Sequence, residues 1–380
     1  MRIINLILGE GEPAFVYKDP GMIVYSLSRY CNYEGTHAFI NKTYCNKDFE
    51  EWVKIQSIGS ADVLDKKSSI EIAKEFLKKE IKNYDIVFLF NYGSTTYKIA
   101  YYCKKYNPDI KVWCKLDMGR GGFSHFYEDS VVRKTKNLFE RLKSKYVDLF
   151  TVETPYYYDK LKDNAMFSGG RLRYLPNGVS RLGINQTALD SIKKENIVLT
   201  VGRLGIYEKN NELLLESIAR MSPHTLADWK VYFVGPLEPE FEKWVEQYFE
   251  KYPELKEKVI FTGNIADRQE LYSLYARSKI ICMTSRTESF CIATIEGMYN
   301  GCVPVLTNYG SIVADQTDNG RLGAVVPVED VDKLTETLEC YMHDENRLAE
   351  LGEQCKVYAR NKYSYEKIAT TLDGYFKELR

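Results

Sequence analysis

The chain has no apolar run approaching the ~20 residues that span a bilayer, which argues against a membrane-spanning helical protein. Its opening, "MRIINLILGEGEP", is too short for a signal peptide, so a cytoplasmic protein is expected. The nine cysteines lack the paired spacing of a zinc site or a disulfide framework. Several stand in apolar runs (Cys114, Cys282, Cys302), as reduced, buried thiols do. Histidine is scarce, only His37, His125, His224 and His343, which leaves few candidates for a side-chain base. No low-complexity tract or short repeat is present, and no basic-aromatic pattern argues for nucleic acid. The only Asp-x-Asp, in "EDVD" (329–332), opens a helix and reads as an N-cap cluster, so no metal site is expected.

At 380 residues the chain is long for one core, and two domains of roughly 150–200 residues are the default. Hydrophobic residues at 44% and charged residues at 28% are ordinary for a globular protein. The net charge of −1 hides an asymmetry: residues 1–180 carry 28 basic against 22 acidic residues, and 181–380 carry 24 against 31. A basic first half suits either an anionic surface or substrate, or simply solvated lysines.

Short Val/Ile/Leu-rich runs alternate with helical stretches throughout. The first half offers 2–8, 36–41, 85–90, 110–117, 148–154 and 171–179, with helices over 68–84 and 94–106. The series begins again with 195–204, 229–235, 258–264, 278–285, 301–308 and 323–327. Such strands, separated by helices, make parallel sheets covered on both faces. Two series broken near 180–195 imply an α/β protein of two doubly wound, Rossmann-like domains facing each other across a cleft. Ligands of such sheets lie beyond the carboxyl ends of the strands, so the residues just after each strand carry the function.

The first strand end, "LILGEGEPA", matches a dinucleotide fingerprint, but Pro13 and the adjacent acids spoil the helix start that would hold a pyrophosphate. A long loop to Gly21, then the helix "MIVYSLSRYCNY", fits better, and Gly21 would let a ligand approach the backbone. In "TVGRLGIYEKNN", the strand ends at Gly202-Arg203, and Lys209 follows just ahead of a helix. An arginine and a lysine there either converge on a diphosphate or stand as solvated cations. In "RTESFCIATIEGMYNG", Ser289 to Ile292 are expected at a helix N-terminus, where free N–H groups and the helix dipole favour a phosphate. Glu288 and Glu296 then bracket that turn, one placed for sugar hydroxyls and one for a ribose diol; the alternative is an N-cap acid and a surface residue.

These two glutamates, with seven residues between them and "GMYNGCVPVLTNYGS" after, resemble the retaining GT-B glycosyltransferases of the family-4 type, glycosyl transferases group 1. "PNGV" (176–179), "VGRLGIYEKN" (201–210), "FVGP" (233–236), "FTGN" (261–264) and "DNGRLGAVVPVEDVDKL" extend the resemblance over about 175–370. In the first half only the element order and "KDPGMIVYSLSRY" match. The resemblance implies an acceptor-binding domain over 1–180, a nucleotide-sugar-binding domain over 181–363, and a terminal helix, 364–380, packing back on the first. It implies that Arg203 and Lys209, after Gly202, bind the donor diphosphate, and that Glu288 contacts sugar hydroxyls. The backbone of Ser289, Phe290, Cys291 and Ile292 would lie near sugar and phosphate, and Glu296 would hold the ribose. Gly263, Asn264 and Ile265 would line the base pocket, and Gly21 would approach the phosphates from the other domain.

Two departures stand out. Cys291 replaces the family's glycine or proline, and Leu116 takes the place of a histidine before Asp117. Asp117, or else the loop residue His125, is then the candidate contact to acceptor or transferred sugar. Retaining transfer needs a stabilised leaving diphosphate, which can itself take the acceptor proton, so neither a strong base nor a metal or cofactor is expected. The donor implied is a nucleotide-diphosphate sugar, UDP-sugar first, and the acceptor a saccharide or lipid-linked saccharide in surface polysaccharide or glycoconjugate synthesis. The basic, partly apolar stretch 131–146 suits either contact with the inner face of a membrane or an ordinary surface helix. Two other readings share these motifs: a sugar-nucleotide epimerase, and an inactive donor-binding partner of an active transferase.

Overall fold

The Val/Ile/Leu-rich runs become parallel strands in two separate sheets. The computed structural model describes residues 1–41, 46–59, 68–118 and 140–379. The chain divides into unit 1, Met1–Leu182 with Tyr363–Arg380, and unit 2, Gly183–Lys362.

Unit 1 holds β1 (Arg2–Glu10), β2 (Glu34–Asn41), β3 (Val53–Ser57), β4 (Ile86–Phe90), β5 (Lys111–Lys115), β6 (Leu149–Val152) and β7 (Leu172–Tyr174). Their order is β3-β2-β1-β4-β5-β6-β7, and every ladder is parallel. Central strands β4 to β6 are buried almost throughout, as a sheet covered on both faces requires. The edge strand β3 has no counterpart among the strands expected from sequence, because "VKIQS" buries only Val53 and so shows no apolar run. The helix Ser69–Glu80 starts on a reciprocal capping box between Ser68 and Glu71. Beyond the first strand the chain enters a 3-10 turn, Pro13–Val16, and the next helix begins at Asp19, two residues ahead of Gly21.

The last helix, Tyr365–Glu378, belongs to unit 1 and lies against the helix Asp19–Cys31. Ile368, Leu372 and Phe376 are each 2% exposed or less, and Phe376 meets Trp113 edge-on with ring centroids 5.7 Å apart. Each such side chain contributes about 1.5–3 kcal/mol by leaving water, an upper estimate. The segment is therefore part of the unit 1 core.

Unit 2 holds β8 (Glu195–Val201), β9 (Lys230–Val234), β10 (Val259–Gly263), β11 (Ser278–Met283), β12 (Val303–Thr307) and β13 (Ala324–Val326). The order is β10-β9-β8-β11-β12-β13, again all parallel. The chain runs outward from β8 to β10, then returns to place β11 on the other side of β8. The carboxyl ends of β8 and β11 thus flank the point where strand order reverses, the place such sheets keep for ligands. Asp330 caps the helix Val331–His343 by accepting from the Lys333 N–H at 2.9 Å, so the "EDVD" acids begin a helix. Among the described residues no helix is long and apolar enough to cross a membrane. The described cysteines are free thiols, most of them buried.

Candidate active site

The loops after β8 and β11 bring together residues separated by some eighty positions. Lys209 Nζ lies 2.5 Å from Glu288 Oε1, and the Ser285 hydroxyl donates to the same oxygen at 2.7 Å. The Thr284 hydroxyl donates to the carbonyls of Lys209, at 3.2 Å, and Asn210, at 2.9 Å. Arg286 ties the two loops further: its N–H donates to the Glu208 carbonyl at 2.7 Å and its guanidinium to the Tyr207 carbonyl at 2.5 Å. A 2.5 Å pair to Glu329 anchors that guanidinium. Burial works against the Lys209 ammonium, but Glu288, by charge and by hydrogen bond, outweighs it and holds Lys209 above the ordinary lysine value. Lys209 is therefore a fixed positive charge at neutral pH.

Gly202 sits against the Lys209 stem, and the exposed Arg203 is close enough for its charge to act on Lys209. Of the two cations expected from sequence, Lys209 lies beside the β11 loop through its contact with Glu288. The helix start differs. The helix runs from Ile292 to Tyr299, with Cys291 as its N-cap in a left-handed conformation at φ 60°. Ser289 and Phe290 precede it as loop, because the left-handed residue interrupts the helical path that Ser289 would otherwise begin. The Thr294 N–H donates back to the Cys291 carbonyl at 3.1 Å, and those of Ile292 and Ala293 stand at the positive end of the helix dipole. The left-handed backbone at position 291 is a conformation that glycine would adopt without strain.

Residues not singled out from sequence hold this turn in place. Gln316 donates through Nε2 to the carbonyls of Phe290, at 2.6 Å, and Cys291, at 3.2 Å. Its Oε1 accepts from the Tyr309 hydroxyl at 2.7 Å, which in turn lies 3.2 Å from the Thr294 hydroxyl. The carbonyls of the turn are thereby satisfied from behind. Burial pushes the Cys291 thiol up to about 11, so it is neutral at physiological pH.

Glu296 is one turn into the helix and partly buried. Its Oε1 accepts from the Tyr272 hydroxyl at 2.9 Å and its Oε2 from the Tyr275 hydroxyl at 3.1 Å. Burial raises its carboxyl above the ordinary value, opposed by the charge of Arg268 and by both phenols. It is not the free surface residue of the alternative reading.

The neighbouring strand ends are bare backbone. Gly235, after β9, has φ 139°, and a Cβ there would stand 1.7 Å from the Gly202 carbonyl oxygen. Its N–H donates to the Gly263 carbonyl at 2.9 Å, and the Gly202 N–H donates to Val234 at 2.9 Å. The ends of β8, β9 and β10 are thereby locked side by side, with Asn264 exposed and Ile265 half-buried just beyond. The quoted "FVGP" contained Gly235, yet only the packing reveals its role.

In unit 1, Gly21 is buried, and a Cβ there would stand 2.4 Å from the Phe15 carbonyl oxygen. On the side where a Cβ would point, the space next to Gly21 is taken by its own preceding loop. Asp117 follows β5 in a left-handed conformation at φ 45°. It borders a buried charge cluster at the carboxyl ends of β5 and β6. There Lys115 Nζ contacts Asp19 at 3.1 Å and Asn177 at 2.7 Å, and the Tyr365 hydroxyl also donates to Asp19. Fully buried Glu153 accepts from the Met118 N–H at 2.5 Å, and burial raises its carboxyl to about 7 despite Lys115. Burial likewise raises Asp117, with Lys115 pulling it back. His125 and 131–139 of the basic stretch lie outside the described residues.

Comparison with known proteins points the same way. Residues 184–362, nearly the whole of unit 2, match the family model of glycosyl transferases group 1. Over 168 residues the chain is 29% identical to the GalNAc-alpha-(1->4)-GalNAc-alpha-(1->3)-diNAcBac-PP-undecaprenol alpha-1,4-N-acetyl-D-galactosaminyltransferase of Campylobacter jejuni. That alignment covers 44% of each protein, so the chain spans less than half of this relative. Among solved structures, a glycosyltransferase from Rickettsia africae aligns with a TM-score of 0.74 at 16% identity, covering 100% of this chain and 98% of that one. Anabaena Alr3699/HepE, solved in complex with UDP and glucose, aligns with a TM-score of 0.66 at 14% identity, covering 100% of both. At such low identity these likenesses establish the fold, which is GT-B.

Proposed function

Because residues 184–362 form a group 1 glycosyltransferase domain within a GT-B fold, we propose that the chain is a retaining, metal-independent glycosyltransferase. Its donor is a nucleotide-diphosphate sugar, UDP-sugar first, and its acceptor a saccharide or lipid-linked saccharide. The undecaprenol-linked substrate in the name of the Campylobacter relative and the UDP in the Anabaena complex support that choice. A lipid-linked acceptor would bring the protein to the inner face of a membrane, in surface polysaccharide or glycoconjugate synthesis.

The observation that carries the reading is the convergence of Lys209, Arg203 and the helix starting at Ile292 at the strand-order reversal of unit 2. Sugar transfer leaves a diphosphate whose negative charge grows as the glycosidic bond breaks. Lys209 has three N–H donors, of which Glu288 takes one, so the others are free to turn toward the departing oxygens. Arg203 adds a bidentate donor, and the helix adds oriented N–H groups. Fixed donors of this kind are typically worth about 2.7–4 kcal/mol each in the transition state. Glu288, held by Lys209 and Ser285, keeps lone pairs for sugar hydroxyls, and Glu296 keeps lone pairs for the ribose. The departing phosphate takes the acceptor proton on the face it leaves, which preserves the anomeric configuration. Asp117 is the proposed unit 1 contact to acceptor or transferred sugar.

The test is thermal stabilisation by a panel of nucleotides and nucleotide sugars, followed by release of nucleoside diphosphate from the donor that binds. A ligand specific for the folded form raises its stability by mass action. Stabilisation by UDP-sugars and UDP is expected, with turnover lost in the Arg203→Ala/Lys209→Ala double variant. Absence of stabilisation by every nucleotide, or normal turnover in that variant, would overturn the reading.

A further inference from the structure

Glu296 is flanked by a stripe of the helix Arg268–Arg277 that no motif reading singled out. Arg268, Tyr272 and Tyr275 recur at spacings of four and three, which puts them on one helical face. Both tyrosines are 0% exposed, and each gives its phenol proton to a different oxygen of the Glu296 carboxylate, at 2.9 and 3.1 Å. Arg268 sits over the Tyr272 ring, 5.2 Å from its centroid, with a guanidinium nitrogen 3.5 Å from the Tyr272 hydroxyl. The Glu296 backbone is fixed as well, since its carbonyl accepts from Asn300 Nδ2 at 2.8 Å.

A carboxylate has about four lone-pair sites, two on each oxygen. One phenol per oxygen uses one site on each and leaves one on each. With both oxygens pinned, the group can no longer rotate, and the two remaining sites keep a fixed separation. A vicinal diol presents two donor hydroxyls side by side, so the pinned carboxylate matches a diol rather than a single hydroxyl. We propose that Tyr272 and Tyr275 are positioning residues that hold Glu296 in the orientation required to accept from both hydroxyls of a nucleotide ribose. This rests on the donor reading above and adds that recognition of the intact diol is built into a second helix.

The experiment measures dissociation constants of UDP, ADP and GDP, and of their 2′,3′-dideoxy counterparts, by calorimetry. The proteins are the wild-type chain, Tyr272→Phe, Tyr275→Phe and the double variant. The phenylalanines keep the buried volume and remove only the hydroxyls. For whichever nucleotide binds, the double variant is expected to lose about tenfold or more in affinity for the ribose form, and less than twofold for the dideoxy form. Each single variant is expected to show the same selective loss in smaller measure, which keeps the test available should the double variant fail to fold. Equal losses on both forms, or no loss, would overturn the positioning role alone. Failure of the wild-type chain to bind any of the three would overturn this role together with the nucleotide reading.

Discussion

The ammonium of Lys209 and the carboxylate of Glu288 meet at 2.5 Å, although they follow different strands of unit 2. The contact exists because β11 is laid beside β8, so that the two loops leave adjacent strand ends. Each partner is mostly shielded, with side chains 20% and 14% exposed. The pair therefore combines a structural task with the proposed chemical one, and the two can be separated.

Lys209→Ala and Arg203→Ala are expected to differ in stability while agreeing in activity. Removing Lys209 leaves the partly buried Glu288 without its cation, a loss of about 1–3 kcal/mol in urea unfolding. Arg203 is exposed, and its removal is expected to change stability by less than about 0.5 kcal/mol. Turnover of the bound donor falls about 10²–10³-fold in either variant. Equal stabilities for the two variants would show that the 2.5 Å pair does not support the fold.

Position 291 is expected to tolerate glycine better than any branched residue. At φ 60° a β-branched side chain is strained, and Cys291→Val is expected to cost about 2 kcal/mol or more. Cys291→Gly relieves the backbone while giving up the thiol contact with Thr294, and should stay within about 1 kcal/mol of the parent. Denaturant midpoints of the two variants, compared at constant slope, check the order.

Two glycines at neighbouring strand ends make a matched pair. Gly235→Ala drives a Cβ to 1.7 Å from the Gly202 carbonyl oxygen and is expected to lose about 2–4 kcal/mol. At Gly263 a Cβ meets nothing within 4 Å, so Gly263→Ala carries only the left-handed backbone penalty, about 1–2 kcal/mol, at φ 67°. That second variant should still fold, and its nucleotide affinity reports whether the end of β10 lines the base pocket. Unchanged affinity would remove Gly263 from the site.

Glu153 makes stability depend on pH. Its carboxyl lies at about 7 in the folded protein against an ordinary value of 4.5, chiefly through burial. The folded state thus holds the proton more tightly, and stability falls as pH rises from about 4.5 to 7. Glu153→Gln keeps the acceptor for the Met118 N–H and removes the ionisation. The variant is expected to gain about 1–3 kcal/mol over the parent at pH 8 and nearly nothing at pH 4, read from unfolding at both. A gain that is the same at both pH values would place the effect in packing instead.

Much of the architecture was legible because short Val/Ile/Leu-rich runs alternating with longer helical stretches are what a parallel sheet covered on both faces requires. The edge strand Val53–Ser57 escaped, since an edge buries little and alternates weakly. Ser289 looked like a helix start by residue type; the left-handed Cys291 moved the start to Ile292, and backbone sign is not written in residue type except at glycine. Glu288 and Glu296 were visible as a spaced pair, whereas Tyr272 and Tyr275 were not, because their link to Glu296 crosses between helices. Gly21 shows a related gap: a glycine announces a close approach but not every partner that makes it, and the Phe15 carbonyl oxygen beside it was not foreseen.

Unit 1 is built from two segments separated by the whole of unit 2, and this bears on the order in which the protein can mature. During synthesis the helix Asp19–Cys31 emerges early, while Tyr365–Glu378, which covers it, is translated only after all of unit 2. The later unit can therefore close its own core first, and the earlier one waits with an uncovered apolar flank until Tyr365–Glu378 has emerged. A nascent chain stalled just before Tyr363 would present a completed second half and a sticky, unsealed first half, the state that chaperones would be required to shelter.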